Sequence, residues 1–297
     1  MTESHQHRAA IQHVLTDKLL GLDVLPVEIA PAAPSASPQS PSQAGQGVTG
    51  QSNTLATADQ ARHGVLAHTQ SPSAPVPSAA APTPVTQRAA STPLEVQPIA
   101  LAALSRDEKI EQLRAMHEGE VRDCQKCPLH QGRINAVFGE GDPDAPILFV
   151  GEGPGYHEDV QGRPFVGRSG ELLDKQIAAM GLSREQIFIA NVVKCRPPNN
   201  RTPIATEVHA CRDYLQRQIA IIQPKVIITL GGPAAKLLLE TDTGITRLRG
   251  QWHAYRGVEP HIPVMPTFHP AYLLRQYTKD NRMKVWSDLQ QAMEKIK

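Results

Sequence analysis

Residues 147–170, ILFVGEGPGYHEDVQGRPFVGRSG, combine an apolar run with two glycine-rich segments. Four apolar residues at 147–150 predict a buried strand, which runs directly into the glycine-rich segment 151–155. Glycines allow a positive φ and let a ligand approach the backbone closely. A second glycine-rich segment at 162–167 contains an aromatic residue, Phe165. The stretch therefore predicts a strand whose end borders a pocket for a small planar ligand.

The two ends of the 297-residue chain differ in composition. All aromatic residues follow residue 100, and residues 31–92 are mostly Ala, Ser, Pro, Gln, Thr and Gly. Such a segment buries too little apolar surface to offset its conformational entropy. We therefore predict a disordered, low-complexity tail over residues 1–100 and one folded domain over residues 105–297. Apolar residues at helical spacing within residues 8–20 predict a short amphipathic helix, which is either transient or a docking segment for a protein partner.

Charge and hydropathy exclude some classes of protein. The net charge of +1 is too small to indicate a nucleic-acid-binding protein by itself. No apolar run approaches the length of a membrane span, and the N-terminus lacks the apolar core of a secretory signal. We expect a soluble, monomeric, cytoplasmic protein, associated with the nucleoid if the source is bacterial. Four cysteines in such a chain suggest metal ligands rather than disulfides.

Strand-like and helix-like patterns alternate after residue 105. The predicted strands cover residues 147–150, 187–193, 226–230 and 262–268. This alternation predicts an α/β fold of three layers, α-β-α, around a mainly parallel four-stranded sheet. In such sheets, ligands bind beyond the carboxyl ends of the strands. The polar and glycine-rich groups at those ends are Gly151–Gly155, Asn191, Gly231-Gly232 and His269, so we expect one composite site.

Two local patterns predict helix starts. Ser105 followed by Glu108 is a capping box ahead of an apolar helical pattern. Thr202-Pro203 is predicted to supply the N-cap and first residue of a later helix.

The four cysteines are Cys124 and Cys127 in a CxxC, Cys195 after the second strand, and Cys211 in the following helix. Four thiolates suit both tetrahedral zinc and a four-iron cluster. Their spacing leaves three interpretations open, which are a zinc site, an iron–sulfur site and unconnected thiols.

Two polar residues at strand ends are candidates for ligand contacts. Asn191 is an amide within an apolar strand, and burying it without a partner is costly. It either satisfies a local backbone group or presents an acceptor and a donor to the edge of a pyrimidine. His269 is followed by proline and by apolar residues, which either pack on the core or insert between bases. Phe165 either stacks on such a ring or belongs to the core.

The sequence closely resembles the iron–sulfur uracil-DNA glycosylases, the family-4 branch of the uracil-DNA glycosylase superfamily, over residues of about 115 to 295. The segments that carry the resemblance are GEGPG at 151–155, GRPFVG at 162–167, NVVKCRPPNNR at 191–201 and FHPAYLLR at 268–275. The four cysteines are similar to the family's cluster ligands in order and spacing. The resemblance implies excision of uracil from DNA by hydrolysis of its N-glycosidic bond, in base excision repair, after the nucleotide leaves the stack.

Roles for individual residues also follow from the resemblance. It implies a structural [4Fe-4S] cluster on Cys124, Cys127, Cys195 and Cys211. In the pocket, it implies that Phe165 stacks on uracil, Asn191 binds its Watson–Crick edge and His269 stabilises the leaving anion. Glu152 is the candidate for positioning water, although classical uracil glycosylases have aspartate where this loop has Gly153. The remaining candidates are backbone groups of Gly153 to Gly155 at the base and Glu158, which would exclude thymine.

The resemblance further implies a DNA-binding surface. Its predicted members are the wedge residues Tyr272, Leu273 and Leu274 and the phosphate contacts Arg168, Arg201 and Arg275. Two alternatives come from other classes of protein. One is an electron-transfer protein, in which Glu152, Asn191 and His269 would have no purpose. The other is a catalytically silent iron–sulfur module that binds DNA and recruits a partner through its tail.

Overall fold

The computed structural model describes residues 98–297. The tail predicted up to residue 100 lies almost entirely outside the described residues, and so does the helix predicted over residues 8–20. Ile99 and Ala100, at the predicted end of the tail, form a short strand, β1, which pairs in parallel with Val258–Glu259, β7. The folded part therefore begins before residue 100.

Six strands form the central sheet, in the order β2-β4-β3-β5-β8-β6. Their bounds are Glu140–Gly141 (β2), Ile147–Gly151 (β3), Phe188–Asn191 (β4), Val226–Leu230 (β5), His253–Tyr255 (β6) and Ile262–Thr267 (β8). The four central strands, β4, β3, β5 and β8, are parallel, as the sequence predicts. The two edge strands, β2 and β6, are short and antiparallel, and they extend the predicted four-stranded sheet on both sides.

Helices cover both faces of this sheet. Their bounds are Arg106–Met116 (α1), Tyr156–Gln161 (α2), Arg168–Ala179 (α3), Ala205–Ile222 (α4), Gly232–Leu239 (α5), Ile245–Leu248 (α6), Pro270–Arg275 (α7) and Lys279–Ile296 (α8). The predicted three-layer α/β class is confirmed.

The alternation of side chains along β3 explains the two hydrophobic cores. Leu148 and Val150 belong to the core that contains Ile219 of α4. Ile147 and Phe149 point to the opposite face and belong to the core that contains Leu173 of α3. Because successive residues of a strand face opposite sides of a sheet, one apolar run supplies both layers.

One predicted helix start is correct and the other is wrong. The Ser105 hydroxyl accepts a hydrogen bond from the Glu108 N–H, and the Glu108 carboxylate accepts from the Ser105 N–H, as a capping box requires. In contrast, α4 begins at Ala205 and not after Thr202. The reason is Glu207, whose carboxylate accepts from the Ile204 N–H at 2.9 Å and so moves the cap two residues along the chain.

Within residues 98–297, none of the helices combines the length and the apolar character needed to cross a membrane.

Candidate active site

A cleft of about 770 Å³ opens at the carboxyl ends of the parallel strands, where the sequence predicts the composite site. Most of the predicted site residues line this cleft. They are Glu152, Gly153, Gly155, Glu158, Phe165, Arg168, Asn191, Arg201, His269, Tyr272 and Arg275. Segments from opposite ends of the domain thus meet in one cavity.

Asn191 lies at the base of the cleft, as the last residue of β4. It is 2% exposed, and its Oδ1 atom is buried without a hydrogen-bond partner among the described residues. Gly151 of the neighbouring strand β3 pairs with Asn191 and leaves room for this arrangement. A Cβ at Gly151 would lie 2.4 Å from Asn191 Oδ1 and 2.6 Å from Phe165 Cζ. A buried acceptor without a partner is costly, so this geometry favours a ligand that donates to Oδ1.

Phe165 is held beside Asn191 in an unusual backbone conformation. Its φ is +53°, a region that non-glycine residues seldom adopt. Arg184 donates hydrogen bonds to the carbonyls of Phe165 and Pro164 and so clamps the loop. Gly170 is required here, because a Cβ at that position would lie 1.8 Å from the Phe165 carbonyl oxygen. Backbone strain that the surroundings maintain is typical of ligand-binding sites.

His269 faces Phe165 from the end of β8, with 5.6 Å between the ring centroids. Its Nδ1 accepts a hydrogen bond from the Ala271 N–H at 3.0 Å, so in the neutral ring Nε2 carries the proton. Desolvation, together with the positive charge of Arg275, lowers the pKa of His269 to about 4. The side chain is therefore a neutral hydrogen-bond donor at pH 7.

Glu158 joins the two glycine-rich loops. One carboxylate oxygen accepts from the N–H groups of Val166 and Gly167, both at 2.9 Å, and the other accepts from the Gly155 N–H at 3.1 Å. The exclusion of thymine by Glu158, which the resemblance implies, stays a prediction. Its observed contacts show a structural task that the sequence does not reveal, because they depend on the path of residues 162–167.

We expect Glu158→Gln to destabilise the domain by about 2 kcal/mol, because the new amide would point a donor at backbone donors. For a domain of this size, that corresponds to a fall in Tm of about 4–8 °C. Thermal unfolding measures the effect, and Glu171→Gln on the exposed surface of α3 is the matched control. A Glu158→Gln protein with the Tm of the unsubstituted protein would contradict the joining role.

Glu152 is half-buried on the wall of the cleft. Burial raises the pKa of its carboxyl group, and a hydrogen bond from the Thr202 side chain partly offsets the rise. A carboxylate in this state is a better proton acceptor than an exposed glutamate.

The three arginines that are predicted to contact phosphates differ in their surroundings. Arg168 and Arg275 line the cleft and make no ion pair within residues 98–297. Arg201 also lines the cleft, but its guanidinium donates two hydrogen bonds, of 2.6 and 2.9 Å, to the buried carboxylate of Glu207.

Leu273 is 1% exposed and packs in the core with α3 and α8, so its assignment to the wedge is wrong. Leu274, at 37% exposed, is the outward-facing leucine of that pair.

The four cysteines share a neighbourhood on the α4 side of the sheet. Cys195 and Cys211 are buried, and Cys124 and Cys127 pack against the same core. Burial raises the pKa of Cys195, and the nearby Cys127 and Cys124 raise it further. Burial also raises the pKa of Cys211, to about 11. No three Cys, His, Asp or Glu side chains of the described chain converge as closely as one bound metal ion requires.

Hydrogen-bond donors surround these sulfur atoms. Arg133 Nη1 lies 3.0 Å from Cys195 Sγ, and the Lys194 N–H donates to Cys211 Sγ at 3.3 Å. The Tyr214 hydroxyl lies 3.4 Å from Cys124 Sγ. Donors of this kind stabilise thiolates over thiols.

Lys194, which is not among the predicted site residues, connects the cysteines with the base of the cleft. Its ammonium is buried and donates to the Asn191 carbonyl at 3.0 Å and to Gln218 Oε1 at 2.6 Å. Burial lowers its pKa to about 8. The signal available in the sequence is a lysine directly between an apolar strand and a cysteine. A residue flanked by buried residues seldom carries an exposed charge, so this position indicates a buried lysine.

The part of the chain that forms the cleft matches known proteins. Residues 138–290 match the family model described as the uracil DNA glycosylase superfamily. A type-4 uracil-DNA glycosylase of Sulfurisphaera tokodaii is 52% identical over 160 residues, which cover 52% of this chain and 73% of that protein. A type-4 uracil-DNA glycosylase of Thermotoga maritima is 46% identical over 188 residues, which cover 63% of this chain and 96% of that protein.

Proposed function

This chain belongs to the uracil DNA glycosylase superfamily, and we propose that it removes uracil from DNA by hydrolysing the N-glycosidic bond, which leaves an abasic site for base excision repair. The family match lies inside residues 105–297, which we propose as the glycosylase domain. Its partner is uracil-containing DNA, so we assign the protein to the cytoplasm or, in a bacterium, to the nucleoid.

The observation that carries this proposal is the buried, unpartnered Oδ1 of Asn191. Uracil presents an N–H donor at N3 next to an acceptor oxygen at O4, and the Asn191 amide offers the matching acceptor and donor. Cytosine presents the opposite pattern and would leave buried polar groups unpaired. A site built for one hydrogen-bonding pattern rejects the other strongly. Phe165, beside the amide, stacks on the ring of the base.

His269 supplies the stabilisation that departure of the base requires. When the glycosidic bond breaks, negative charge develops on the uracil oxygens. The neutral imidazole donates from Nε2 to the O2 atom, because its Nδ1 is already engaged by the Ala271 N–H. A fixed donor aimed at developing charge lowers the barrier without reorganisation.

Glu152 positions the water molecule that attacks the sugar. Its carboxylate must be ionised for this task, and its pKa is raised by burial. We therefore expect kcat to fall with decreasing pH at a higher pH than for an ordinary glutamate. In Glu152→Gln, kcat should fall by about 10²-fold and the acidic limb of the pH profile should disappear. An unchanged acidic limb in that variant would remove Glu152 from the reaction.

The direct test of the proposed function is an oligonucleotide assay. The purified protein is incubated anaerobically at low salt with oligonucleotides that contain uracil, hypoxanthine or thymine, in single and double strands. Free uracil and an alkali-sensitive abasic site are expected from the uracil substrate. Because Arg168 and Arg275 would contact phosphates, the rate at subsaturating substrate should fall as salt increases. Absence of uracil release would contradict the proposal.

We further propose that Cys124, Cys127, Cys195 and Cys211 hold a [4Fe-4S] cluster. The donor set fits, because four sulfurs are gathered in one core and hydrogen-bond donors point at three of them. The cluster would supply structural cross-linking of the loops that carry the cysteines. Through Lys194, the same loops support Asn191.

We expect the anaerobically purified protein to be brown and to contain about four iron and four sulfide ions per chain. Cys211→Ser should lose most of the iron, because a buried hydroxyl is a poor substitute for a thiolate. Metal analysis and the visible absorption spectrum measure both. Colourless protein with one zinc ion per chain would contradict the cluster.

A further inference from the structure

The rim of the cleft carries an aromatic residue that the proposed reaction does not use. Tyr156, the first residue of α2, lines the cleft and is 54% exposed. The guanidinium of Arg196 lies over its ring, 5.1 Å from the ring centroid. An exposed tyrosine with a cation on its ring, at the mouth of a cleft for a flipped base, is a surface on which a second base can stack.

Both residues of this pair are held by anchored segments. Arg196 donates to Asn200 Oδ1 at 2.7 Å. Asn199 and Asn200 have φ values of +54° and +55°, and the Asn200 N–H donates to the Pro197 carbonyl. Such a conformation persists only where the surrounding structure maintains it. On the other side, the loop before Tyr156 is anchored by Glu158.

The sheet order separates this pair from the other DNA-contacting surface. Tyr156 follows β3 and Arg196 follows β4, and these strands are neighbours. The helix α7, with Arg275, follows β8, which lies two strands from β3 in the sheet. The pair therefore follows the strands at one end of the parallel set, and α7 follows the strand at the other end, so the two form different walls of the cleft. A DNA strand that delivers its uracil to Asn191 must place a neighbouring nucleotide near one of these walls.

We propose that Tyr156 and Arg196 form a stacking subsite for the nucleobase adjacent to the excised uracil, used when that base is unpaired, as in single-stranded DNA. In a duplex, the neighbouring base is already paired and stacked within the helix. In a single strand, it is free to stack on Tyr156, while Arg196 adds positive charge beside the backbone. This inference rests on the proposed function and adds that the site recognises uracil in single-stranded DNA.

The experiment is a double-mutant cycle that combines a substitution in the protein with removal of one base from the substrate. The single-stranded substrate contains one uracil, and its 5′ or 3′ neighbour is either a normal nucleotide or an abasic tetrahydrofuran residue. For the unsubstituted protein, kcat/KM should fall about tenfold when the base is removed on one of the two sides. Tyr156→Ala should lose about tenfold on the intact substrate and nothing further when that base is removed. Tyr156→Phe, which keeps the ring, should retain the response to base removal.

The control is Trp252→Ala. Trp252 is also exposed and carries a cation, Lys295, over its ring at 5.7 Å, but it does not line the cleft. Its substitution should leave both substrates unaffected, and Tm values establish that each variant is folded. If Tyr156→Ala and removal of the base lowered kcat/KM independently, so that their fold-losses multiplied for both the 5′ and the 3′ neighbour, the stacking subsite would be overturned. The proposed function would be unaffected by that result. An unsubstituted protein that releases no uracil would instead overturn the proposed function.

Discussion

Replacement of Asn191 by leucine is expected to lower kcat/KM for uracil release by about 10³-fold or more. The two side chains have similar size, so the change removes the acceptor and donor while filling the same space. The uracil N3–H and O4 would then be buried without partners, and such mismatches cost 10⁴–10⁵-fold in sites that recognise polar groups. Single-turnover measurements with a uracil oligonucleotide at saturating protein measure the effect on the chemical step.

Asn191→Asp sharpens this test. The ionised carboxylate retains an acceptor for N3–H but places a second acceptor opposite O4, so uracil excision should again be crippled. A protonated aspartic acid could donate to N3 of cytosine and accept from its amino group, so cytosine release should be assayed in the same variant. Asn281→Leu, an amide substitution on α8 outside the cleft, is the matched control. Unchanged uracil release in Asn191→Leu would remove this residue from the site.

Replacement of His269 by alanine is expected to lower kcat by about 10²–10³-fold, the usual effect of removing one donor to a developing oxyanion. His269→Gln keeps an N–H donor on a side chain of similar length and should recover part of the loss. Binding of a uracil-free oligonucleotide should change little in either variant, because the interaction strengthens only as the anion forms. Equal rates for the alanine and glutamine variants would contradict the donor role.

The pH dependence gives a second measure of His269. With a pKa of about 4, the imidazole is neutral throughout the range from pH 5.5 to 8, so it contributes no titration to kcat there. The acidic limb assigned to Glu152 should therefore survive in His269→Gln. A limb near pH 6–7 that vanished with His269 would indicate that the protonated ring acts in catalysis.

The same pKa also affects stability, and its sign follows from proton linkage. An unfolded histidine takes up a proton near pH 6.5, whereas the folded protein resists protonation until about pH 4. The unfolded state therefore binds more protons in this window, and the free energy of unfolding falls as pH decreases from about 6.5 to 4. Denaturant unfolding of His269→Gln should show a shallower pH dependence in that window than the unsubstituted protein.

Much of the fold could be predicted because its signals are local. The apolar run at 147–150 and the glycines after it are adjacent in the chain, and so are the residues of the capping box at Ser105. Strand alternation with helices then dictates a parallel sheet, and a parallel sheet dictates where its carboxyl ends meet. For that reason, Gly151–Gly155, Asn191 and His269 could be predicted to form one site.

The wrong assignment in the wedge concerns a residue whose packing partners lie elsewhere in the chain. Leu273 and Leu274 are identical in the sequence, and only the packing of α7 on α3 and α8 decides that Leu273 is buried and Leu274 faces outward. Local patterns contain no information about this choice.

The α/β class, the position of the cleft and the set of four cysteines could be predicted from the sequence, because periodicity, turn chemistry and residue type are properties of short segments. Only the packing of the fold decides that Glu158 ties two loops together, that Lys194 is buried against Gln218, and that Arg196 lies over Tyr156. Each of these contacts joins elements that are separate in the chain. Side-chain partners across such distances are set by how the layers pack and not by the neighbours in sequence.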